Sequence, residues 1–366
     1  MHKKEIKHYK KKMKYKVLIT EFSAWHDECL YSTCLLMKAE GHHITVALNE
    51  DLKTRIGTSL NDVTDEIIYY PFKKGIKGTL ALLRFWNNLL KGGFTHLYLN
   101  SAQGSVAWKF FLLPIPHRIK VIGTIHNLKK LTSSFGQKLI TRRINGYVLL
   151  SDLLTRRYQE VCNKPTAAIY PIFYPTFNTF TLPKKTDEIW ILIPGAVSLA
   201  RRDYLSLLPT DVKYAPHIKF IILGNRNKAD GKEIYEQVCQ FGAQDHFLFF
   251  DGFVPEEDFY SYVLQCDYIM PLVHPRFGEY AKYLTEKISG TYNLAIAYRK
   301  IMLCPNEMAT YEDFHDTALF YSINEMQSFI NSLTPTDNQK FFNHPKWSVQ
   351  EQQRRMNVFL EEIINN

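Results

Sequence analysis

The chain has 366 residues, of which 46% are hydrophobic and 22% charged, and its formal net charge is +9. These values are typical of a globular protein of about two domains and exclude a disordered or fibrous chain. No apolar run approaches the roughly 20 residues that span a bilayer, and the N-terminus lacks the apolar core of a secretory signal, so we expect a soluble cytoplasmic protein. The six cysteines form no Cys-x-x-Cys pair, which predicts free thiols in a reducing compartment.

The positive charge is concentrated at the N-terminus. Eight lysines in residues 1–16 face a single acid, Glu5, and hold seven of the nine net charges. Three interpretations stay open: a solvated tail, a nucleic-acid arm, or a tether to anionic lipid. The rest of the chain has a net charge near zero and no nucleic-acid motif, so we expect no nucleic-acid partner. An anionic membrane surface is the partner we expect for this tail if the substrate lies on a membrane.

The first half alternates short apolar runs with helical stretches. Such alternation predicts a doubly wound parallel sheet. The runs, in chain order, are YKVLIT, HHITVALN, IIYYPF, THLYLN, KVIGTIHN, GYVLLS and AAIYPIF.

A proline-containing linker precedes a second alternation, whose runs are IWILIPG, KFIILGN, FLFFDGF and YIMPLV. We predict helices from Asp203, over residues 232–241 and 256–265, and from Trp347-Ser348 to the chain end. The predicted fold class is α/β, with two Rossmann-like doubly wound parallel-sheet domains facing across a cleft. The predicted divisions are a basic tail (1–14), an N-terminal domain (15–170), a linker (171–187), a C-terminal domain (188–340) and a C-terminal helix (341–366) that packs back on the N-terminal domain.

The segment Glu286-Lys-Ile-Ser-Gly-Thr predicts a loop that opens into a helix. Ser289 is a good N-cap residue, and Gly290 lets another group approach the backbone closely. The first N–H groups of such a helix suit a phosphate, because they lack internal partners and lie at the positive end of the helix dipole. The alternative is an ordinary capped helix in a core.

Four segments of the second half follow in a familiar order: IPGAVSLARRDYLSLL, KFIILGN, FFDGFVPEEDFYSYVLQCDYIMPL and TEKISGTYNLAIAYRKIML. In order and spacing they resemble the carboxyl-terminal domain of GT-B nucleotide-sugar glycosyltransferases, in particular the retaining family-four enzymes of bacterial surface-polysaccharide clusters. The resemblance covers about residues 189–303. It is looser over residues 15–171, where it rests on strand order and the segment TIHN.

The resemblance implies roles for the 286–294 region. Glu286 matches the first of two family glutamates, which faces the hydroxyls of the donor sugar. Ser289, Gly290 and Thr291 match the turn whose N–H groups hold the diphosphate. Leu294 stands where the second glutamate grips the ribose, and Asn293 beside it is the candidate substitute.

Two further departures from the family pattern follow. Arg299 stands where the family has glycine, and Ile301 where it has proline. Glu279, seven residues before Glu286, is a rival for the first glutamate that would leave the helix out of register.

A glycine loop with basic residues follows the first strand of the second half. Gly195, Arg201 and Arg202 match the family's diphosphate-binding loop. A guanidinium can hold two phosphate oxygens at once and neutralise the departing charge, whereas a solvated arginine pair at a helix start is poorly placed against the dipole.

The resemblance also implies a nucleoside site and two catalytic candidates. Gly224 and Asn225 end one strand, and Phe253 and Val254 follow another, at the edge where the family packs the nucleoside. The alternative for Phe253 and Val254 is a plain strand-to-helix turn. His126 ends a strand where family members place a histidine against the donor sugar.

The first loop, Trp25-His26-Asp27-Glu28, replaces the glycines usual there and would face the acceptor. His26, Asp27 or Glu28 would orient the acceptor hydroxyl or act as base, with Asp27 as our candidate. The alternative role for Asp27 is an N-cap.

The implied activity is transfer of a sugar from a UDP- or GDP-linked donor to a hydroxyl of a glycan or lipid-linked glycan, with retention, in capsule, O-antigen or other surface-glycan synthesis. No cofactor is expected beyond this donor co-substrate. No metal is expected either, since the chain has no Asp-x-Asp triplet. The implied location is the cytoplasm, peripheral on the inner face of the plasma membrane. Two alternatives stay open: a catalytically degenerate GT-B scaffold and a GT-B sugar-nucleotide epimerase.

Overall fold

The computed structural model describes residues 15–208, 213–228, 230–276, 278, 280–335 and 340–365. Within these ranges the chain forms two parallel sheets with flanking helices, an α/β protein of two Rossmann-like domains that face each other across a cleft. The lysine tail at residues 1–14 and the rival glutamate Glu279 lie outside the described residues.

The N-terminal sheet has seven strands: β1 Lys16–Glu21, β2 His43–Asn49, β3 Glu66–Tyr70, β4 His96–Leu99, β5 Lys120–Ile125, β6 Gly146–Leu149 and β7 Thr166–Ala168. Their order is β3-β2-β1-β4-β5-β6-β7, and all neighbours are parallel. The central strands are covered on both faces, which explains why Val17, Leu18 and Ile19 form an unbroken apolar run with no exposed surface.

Seven helices flank this sheet: α1 Leu30–Lys38, α2 Lys53–Ile56, α3 Ile76–Lys91, α4 Ser105–Phe110, α5 Lys130–Ser133, α6 Phe135–Arg143 and α7 Asp152–Tyr158. Alternate strand residues face opposite sides of the sheet. Leu18 belongs to the core beneath α3, α4 and α6, whereas Val17 and Ile19 belong to the core beneath α1. Helices α3, α4 and α6 therefore share one face.

The C-terminal sheet has six strands: β8 Ile189–Pro194, β9 Ile218–Asn225, β10 Phe247–Phe250, β11 Tyr268–Ile269, β12 Ile301–Pro305 and β13 Ala318–Tyr321. Their order is β10-β9-β8-β11-β12-β13, again parallel throughout. The helices that follow are α8 Gly231–Gln240, α9 Glu256–Gln265, α10 Tyr280–Thr285, α11 Gly290–Ala297, α12 Met326–Asn331 and α13 Val349–Asn365.

One predicted helix is wrong. The segment after Asp203 forms only a short 3-10 turn, Tyr204–Leu207. The N–H of Asp203 bonds to the carbonyl of Leu272, and its carboxylate is held by side chains from the loop after β11. These bonds to another loop hold the residue outside a helical start.

The connecting segment between the domains is fastened to α9. The N–H of Phe180 donates to Ser261 Oγ at 2.9 Å, and the N–H of Leu182 donates to Gln265 Oε1 at 2.9 Å. The rings of Phe177 and Tyr260 are stacked, with centroids 3.6 Å apart. Residues 177–182 of the segment therefore pack on the C-terminal domain.

Helix α13 packs on the N-terminal domain, where Met356, Phe359, Leu360 and Ile363 are buried in the core beneath α1. The chain thus crosses between the domains at Tyr170 and again at Trp347. Their rings meet edge to face with centroids 5.0 Å apart, so the two crossings run side by side. None of the helices in the described part of the chain has the length and apolar character needed to cross a bilayer.

Candidate active site

A cavity of about 430 Å³ lies at the carboxyl ends of the C-terminal strands. Its lining includes every residue predicted to hold a diphosphate: Gly195, Arg201, Arg202, Ser289, Gly290 and Thr291. The loop after β8 and the start of α11, almost one hundred residues apart in sequence, therefore meet around one space. We call this space the diphosphate cavity, after the role that the sequence resemblance predicts for these residues.

Arg202 is fixed by three hydrogen bonds. Its guanidinium donates to the Thr291 hydroxyl at 3.0 Å, to the Ala196 carbonyl at 3.3 Å and to the Tyr204 hydroxyl at 3.4 Å. Gly195 makes room for it, because a Cβ at that position would lie 3.2 Å from Arg202 Nη2. Gly195 also has φ of 104°, which favours glycine.

The start of α11 has the predicted cap. Ser289 Oγ accepts a hydrogen bond from the N–H of Thr291 at 3.3 Å. Apart from its chain neighbours and the backbone of its own helix, no described residue has an atom within 4 Å of the place where a Cβ of Gly290 would stand, so the first turn is open towards the cavity. This arrangement puts the positive end of the helix dipole beside Arg202.

The second-glutamate position lines the same cavity through Leu294, whereas Asn293 lies in the protein core. Only 2% of Asn293 is exposed, and within the described chain its Oδ1 has no hydrogen-bond partner. The structure therefore does not bring Asn293 to the nucleoside site, because its side chain points to the other side of α11.

Lys287 is a cation that sequence reasoning missed. It lines the diphosphate cavity, and its ammonium lies 4.5 Å from the centre of the Tyr283 ring. The sequence feature that could have identified Lys287 was its position between Glu286 and the turn at residues 289–291. Arg201, Arg202 and Lys287 bring three formal positive charges to one cavity.

Asp203 fixes the loop that carries the two arginines. Its buried carboxylate accepts hydrogen bonds from His274 Nδ1 at 2.8 Å and from Arg276 Nε at 2.6 Å, and His274 Nε2 lies 2.7 Å from the Tyr321 hydroxyl. Burial alone would raise the pKa of Asp203, but the bonds from His274 and Arg276 lower it below its usual value. The carboxylate therefore stays charged and keeps both partners.

A second cavity of about 480 Å³ adjoins the first and is lined by both domains. Its lining includes the predicted nucleoside residues Gly224, Asn225, Phe253 and Val254. Phe253 is 85% exposed, an unusual state for so large an apolar ring. A Cβ at Gly224 would lie 2.1 Å from the Gly195 carbonyl oxygen, so the ends of β8 and β9 can approach this closely only with glycine.

The loop after β1 contributes acids to this second cavity. Asp27 lines it and accepts a hydrogen bond from Arg55 at 2.7 Å, with no side-chain capping bond at the adjoining helix start. Burial raises the pKa of Asp27 despite Arg55. Glu28 lines both cavities and therefore stands where they join.

His26 and His126 are stacked beneath Glu28. Their ring centroids are 3.8 Å apart, and His26 Nδ1 lies 3.5 Å from Glu28 Oε1. Burial, and then the charge of His26, lowers the pKa of His126 to about 4. Burial also acts to lower the pKa of His26, but its bond and attraction to Glu28 outweigh burial and raise it.

His126 is buried, stacked against the His26 ring, and lies outside both cavity linings. Its Nε2 lies 2.8 Å from the Asn100 carbonyl. His26 itself has φ of 66°, a left-handed conformation that costs a non-glycine residue about 1–2 kcal/mol. The loop thus holds strain where the family has glycine.

Glu21 is a buried carboxylate that sequence reasoning passed over. It ends β1 and accepts hydrogen bonds from Ser23, Asn100 and Ser101. Burial raises its pKa, and these bonds oppose that rise. The available signal was a carboxylate directly after a buried strand, at the edge where parallel sheets place their sites.

Glu286 is half-buried and lies outside both cavity linings. Its carbonyl accepts a hydrogen bond from the N–H of Leu128 at 2.7 Å, a direct bond between the two domains. This bond joins the segment just before residues 289–291 to the loop that follows His126.

Arg299 has the conformation that the family's glycine implies. Its φ is 51°, and it follows the last turn of α11. The N–H of Arg299 bonds to the Ile296 carbonyl and that of Lys300 to the Ala295 carbonyl. This is the Schellman motif, which ordinarily has glycine at this position.

No group of three or more His, Cys, Asp or Glu side chains in the described ranges could hold a metal ion.

Solved structures with this fold include sugar-nucleotide proteins. Anabaena HepE, in complex with UDP and glucose, is 16% identical, with 96% of this chain and 98% of that chain covered and a TM-score of 0.61. UDP-GlcNAc 2-epimerase from Neisseria meningitidis, bound to UDP-GlcNAc, is 12% identical over 95% and 100%, with a TM-score of 0.53. AviGT4, a glycosyltransferase involved in avilamycin A biosynthesis, is 9% identical over 96% and 99%, with a TM-score of 0.55.

No protein-family model and no curated protein sequence matches the chain. The structural likeness spans both domains and almost the whole of each compared chain. Its two parallel sheets, the cleft between them and these neighbours together establish that the chain has the GT-B fold.

Proposed function

We propose that the protein transfers a sugar from a nucleoside diphosphate sugar to a hydroxyl acceptor. The observation that carries this proposal is the hydrogen bond from Arg202 to Thr291, which joins the arginine loop to the start of α11 around one cavity. Fixed positive groups on several sides suit a diphosphate, whose negative charge grows as it leaves the sugar.

In this reaction the bond between the anomeric carbon and the diphosphate oxygen breaks, and its electron pair goes to the diphosphate. Arg201, Arg202, Lys287 and the first turn of α11 stabilise that charge. The acceptor oxygen bonds to the anomeric carbon, and its proton passes to a base. Retention places the acceptor on the side from which the diphosphate departs, so a diphosphate oxygen is within reach of that proton.

Glu28 is better placed than Asp27 to orient the acceptor. Asp27 is held by Arg55, whereas Glu28 stands where the two cavities join. Burial alone would raise the pKa of Glu28, but its bond to His26 lowers it, so the group is ionised at neutral pH and accepts a hydrogen bond from the acceptor hydroxyl.

Glu286 and His126 stay assigned to the donor sugar by the family resemblance. Neither lines the two cavities described above, and the bond from Leu128 to the Glu286 carbonyl ties the two segments together. On this proposal, loss of the Glu286 carboxylate abolishes transfer without unfolding the chain. Glu257, an exposed acid in the first turn of α9, provides the matched control.

An epimerase is the second candidate, because a UDP-GlcNAc 2-epimerase shares the fold. It would convert a UDP-N-acetylhexosamine without an acceptor. A scaffold without activity is the third, and Leu294 in the cavity lining favours it, since leucine cannot bond a ribose hydroxyl.

A thermal-shift panel of UDP, GDP, ADP, CMP and their sugar conjugates tests the site first. A ligand that binds only the folded chain raises Tm, because it stabilises the folded state by RT ln(1 + [L]/Kd), which is roughly 2.7 kcal/mol at about 100 times Kd. No rise with any member of the panel would favour the scaffold. The donor that raises Tm is then followed by NMR with and without glycan acceptors.

A transferase consumes that donor only when an acceptor is present and is inactive as Glu286→Ala but active as Glu257→Ala. Conversion of the donor in the absence of acceptor identifies an epimerase instead. Full transfer by Glu286→Ala would remove Glu286 from the mechanism.

A further inference from the structure

One long stretch of the N-terminal domain has no acidic residue. Between Ile67 and Ser151 the sequence has thirteen lysines and arginines and not one aspartate or glutamate. That local charge exceeds the net charge of the whole chain, +9. All but one of these cations, Lys120, are exposed.

The fold gathers this stretch on one side of the molecule. Helices α3, α4 and α6 all lie within it, and all three pack on the same core beneath one face of the N-terminal sheet. We call their outer surface the basic face. The nearest paired acids, Glu50 and Asp51, contact only Lys73 at its border.

The basic face also exposes large apolar side chains. On α3, Ile76 is 81% exposed, Leu80 49% and Leu83 42%, while Ala81, Phe85 and Leu89 bury the opposite side of the helix. Phe135, the first residue of α6, is 80% exposed. A helix with apolar residues on both sides needs a second partner for its outer side.

We propose that the basic face docks on an anionic lipid bilayer. Aliphatic and aromatic side chains among lysines and arginines are the combination that enters the acyl boundary while the cations meet anionic headgroups. Lys77 and Arg84 lie on α3 next in sequence to Ile76 and Leu83, and Lys74 lies two residues before the helix, so charge and apolar contact act at one place. A nucleic acid would use the cations alone and leave the aliphatic side chains in water.

The docked face lies beside the cleft. Helix α3 follows the carboxyl end of β3, and α6 follows that of β5, so Ile76 and Phe135 lie at the sheet edge where the cleft opens. A bilayer on this face would therefore adjoin the cleft opening. The proposal concerns a surface outside both cavities and does not depend on which sugar reaction the site performs.

Vesicle flotation of the full chain tests this. One set of vesicles contains phosphatidylcholine alone, and the other contains equal parts of phosphatidylcholine and phosphatidylglycerol. The variants are Ile76→Ser with Leu80→Ser, and Lys74→Gln with Lys77→Gln. Matched controls outside the face are Leu264→Ser with Val358→Ser, and Lys213→Gln with Lys232→Gln. A further variant carries Gln at Lys10, Lys11, Lys12 and Lys14, and Tm confirms that each variant folds.

We expect binding to the anionic vesicles only, weaker at high salt. Each neutralised lysine on the face should weaken partition about fivefold. The variant with Ile76→Ser and Leu80→Ser should bind the anionic vesicles at least about tenfold more weakly, because two apolar side chains no longer enter the acyl boundary. The controls should bind like the parent chain, and neutralising the tail should leave these differences in place.

Three outcomes would overturn the proposal. The first is equal binding to both kinds of vesicle. The second is binding that the tail variant abolishes and the face variants leave intact. The third is a chain that binds single-stranded RNA through the lysines of the basic face, while the variant with Ile76→Ser and Leu80→Ser binds vesicles as well as the parent chain does.

Discussion

The guanidinium of Arg202 donates a hydrogen bond to the hydroxyl of Thr291 at 3.0 Å, across 89 positions of sequence. Arg202 belongs to the loop after β8, and Thr291 belongs to the first turn of α11. The bond holds the arginine with one Nη atom against the helix start, where the dipole favours anions. A phosphate in this cavity would meet a cation that is already in place, which lowers the ordering cost of binding.

We predict that Arg202→Ala weakens the binding of the nucleoside diphosphate that the panel identifies by about 10- to 100-fold, as for the loss of a charged hydrogen-bond partner. Thr291→Val should weaken it less, because Arg202 keeps its charge and loses one anchor. Isothermal titration calorimetry measures both, and a double variant shows whether the two effects are coupled.

Lys232→Ala is the matched control, since this exposed lysine on α8 lines neither cavity. Equal affinity of the parent chain and Arg202→Ala, with Tm unchanged, would show that the diphosphate binds elsewhere.

Gly195→Ala should lower both stability and affinity. Its φ of 104° is costly for alanine, by about 1–2 kcal/mol, and the added Cβ would lie 3.2 Å from Arg202 Nη2. Gly290→Ala is the contrasting variant, because its Cβ meets nothing within 4 Å and alanine favours the helix by up to about 1 kcal/mol. Urea denaturation gives the stabilities.

A stable Gly195→Ala protein with the affinity of the parent chain would mean that the loop after β8 does not need its observed conformation.

The stacked histidines should titrate at well-separated pH values. Because His126 has its pKa lowered to about 4, the stability that its neutral form contributes is present above 6.5 and is lost as the pH falls towards 4. His26, with a raised pKa, titrates above 6.5 and contributes stability below that pH. Two-dimensional NMR of the imidazole signals separates the two.

In His26→Gln the pKa of His126 should rise but stay below 6.5, since burial is the larger cause of its shift. In Glu28→Gln the pKa of His26 should fall. If the pKa of His26 is unchanged in Glu28→Gln, a group other than Glu28 must be the one that raises it.

Arg299→Gly should stabilise the chain by about 1 kcal/mol, because glycine adopts φ of 51° without the Cβ clash of other residues. Arg299→Ala keeps a Cβ and should give no such gain. Thermal and urea denaturation compare the two, and an equal change in both variants would place the effect in the arginine side chain instead.

Much of the fold follows from local pattern. The apolar runs of β1, β2 and β8 are covered on both faces and are therefore continuous, and α9 begins and ends where its first-turn acids and apolar spacing predict. The helix from Asp203 failed because a carboxylate at a helix start also fits ion pairs, and His274 and Arg276 come from residues about 70 positions later.

The site divides in the same way. Gly195 and Arg202 lie in the loop after β8, and Thr291 lies in the first turn of the helix that leads into β12. Both the glycine loop after a strand and the capped helix start can be recognised in sequence. Asn293 did not reach the cavity, because one position on a helix turns a side chain by about 100°. The His26–His126 stack depends on ring packing between two loops, which neither loop's sequence encodes alone.

The paired crossings at Tyr170 and Trp347 limit how the two lobes move. Because the two connections lie side by side, the cleft can open about one axis that passes through them. Neither lobe can rotate freely about a single connection. Tyr170 also donates a hydrogen bond to Asp313 at 2.7 Å and accepts one from the N–H of Asp152 at 2.8 Å, so it bonds to both lobes at this crossing. The lobes are also joined beside residues 289–291, where the N–H of Leu128 bonds to the Glu286 carbonyl. Any opening of the cleft that separates Leu128 from Glu286 therefore has to break that bond, whereas a hinge at the two crossings can keep its contacts.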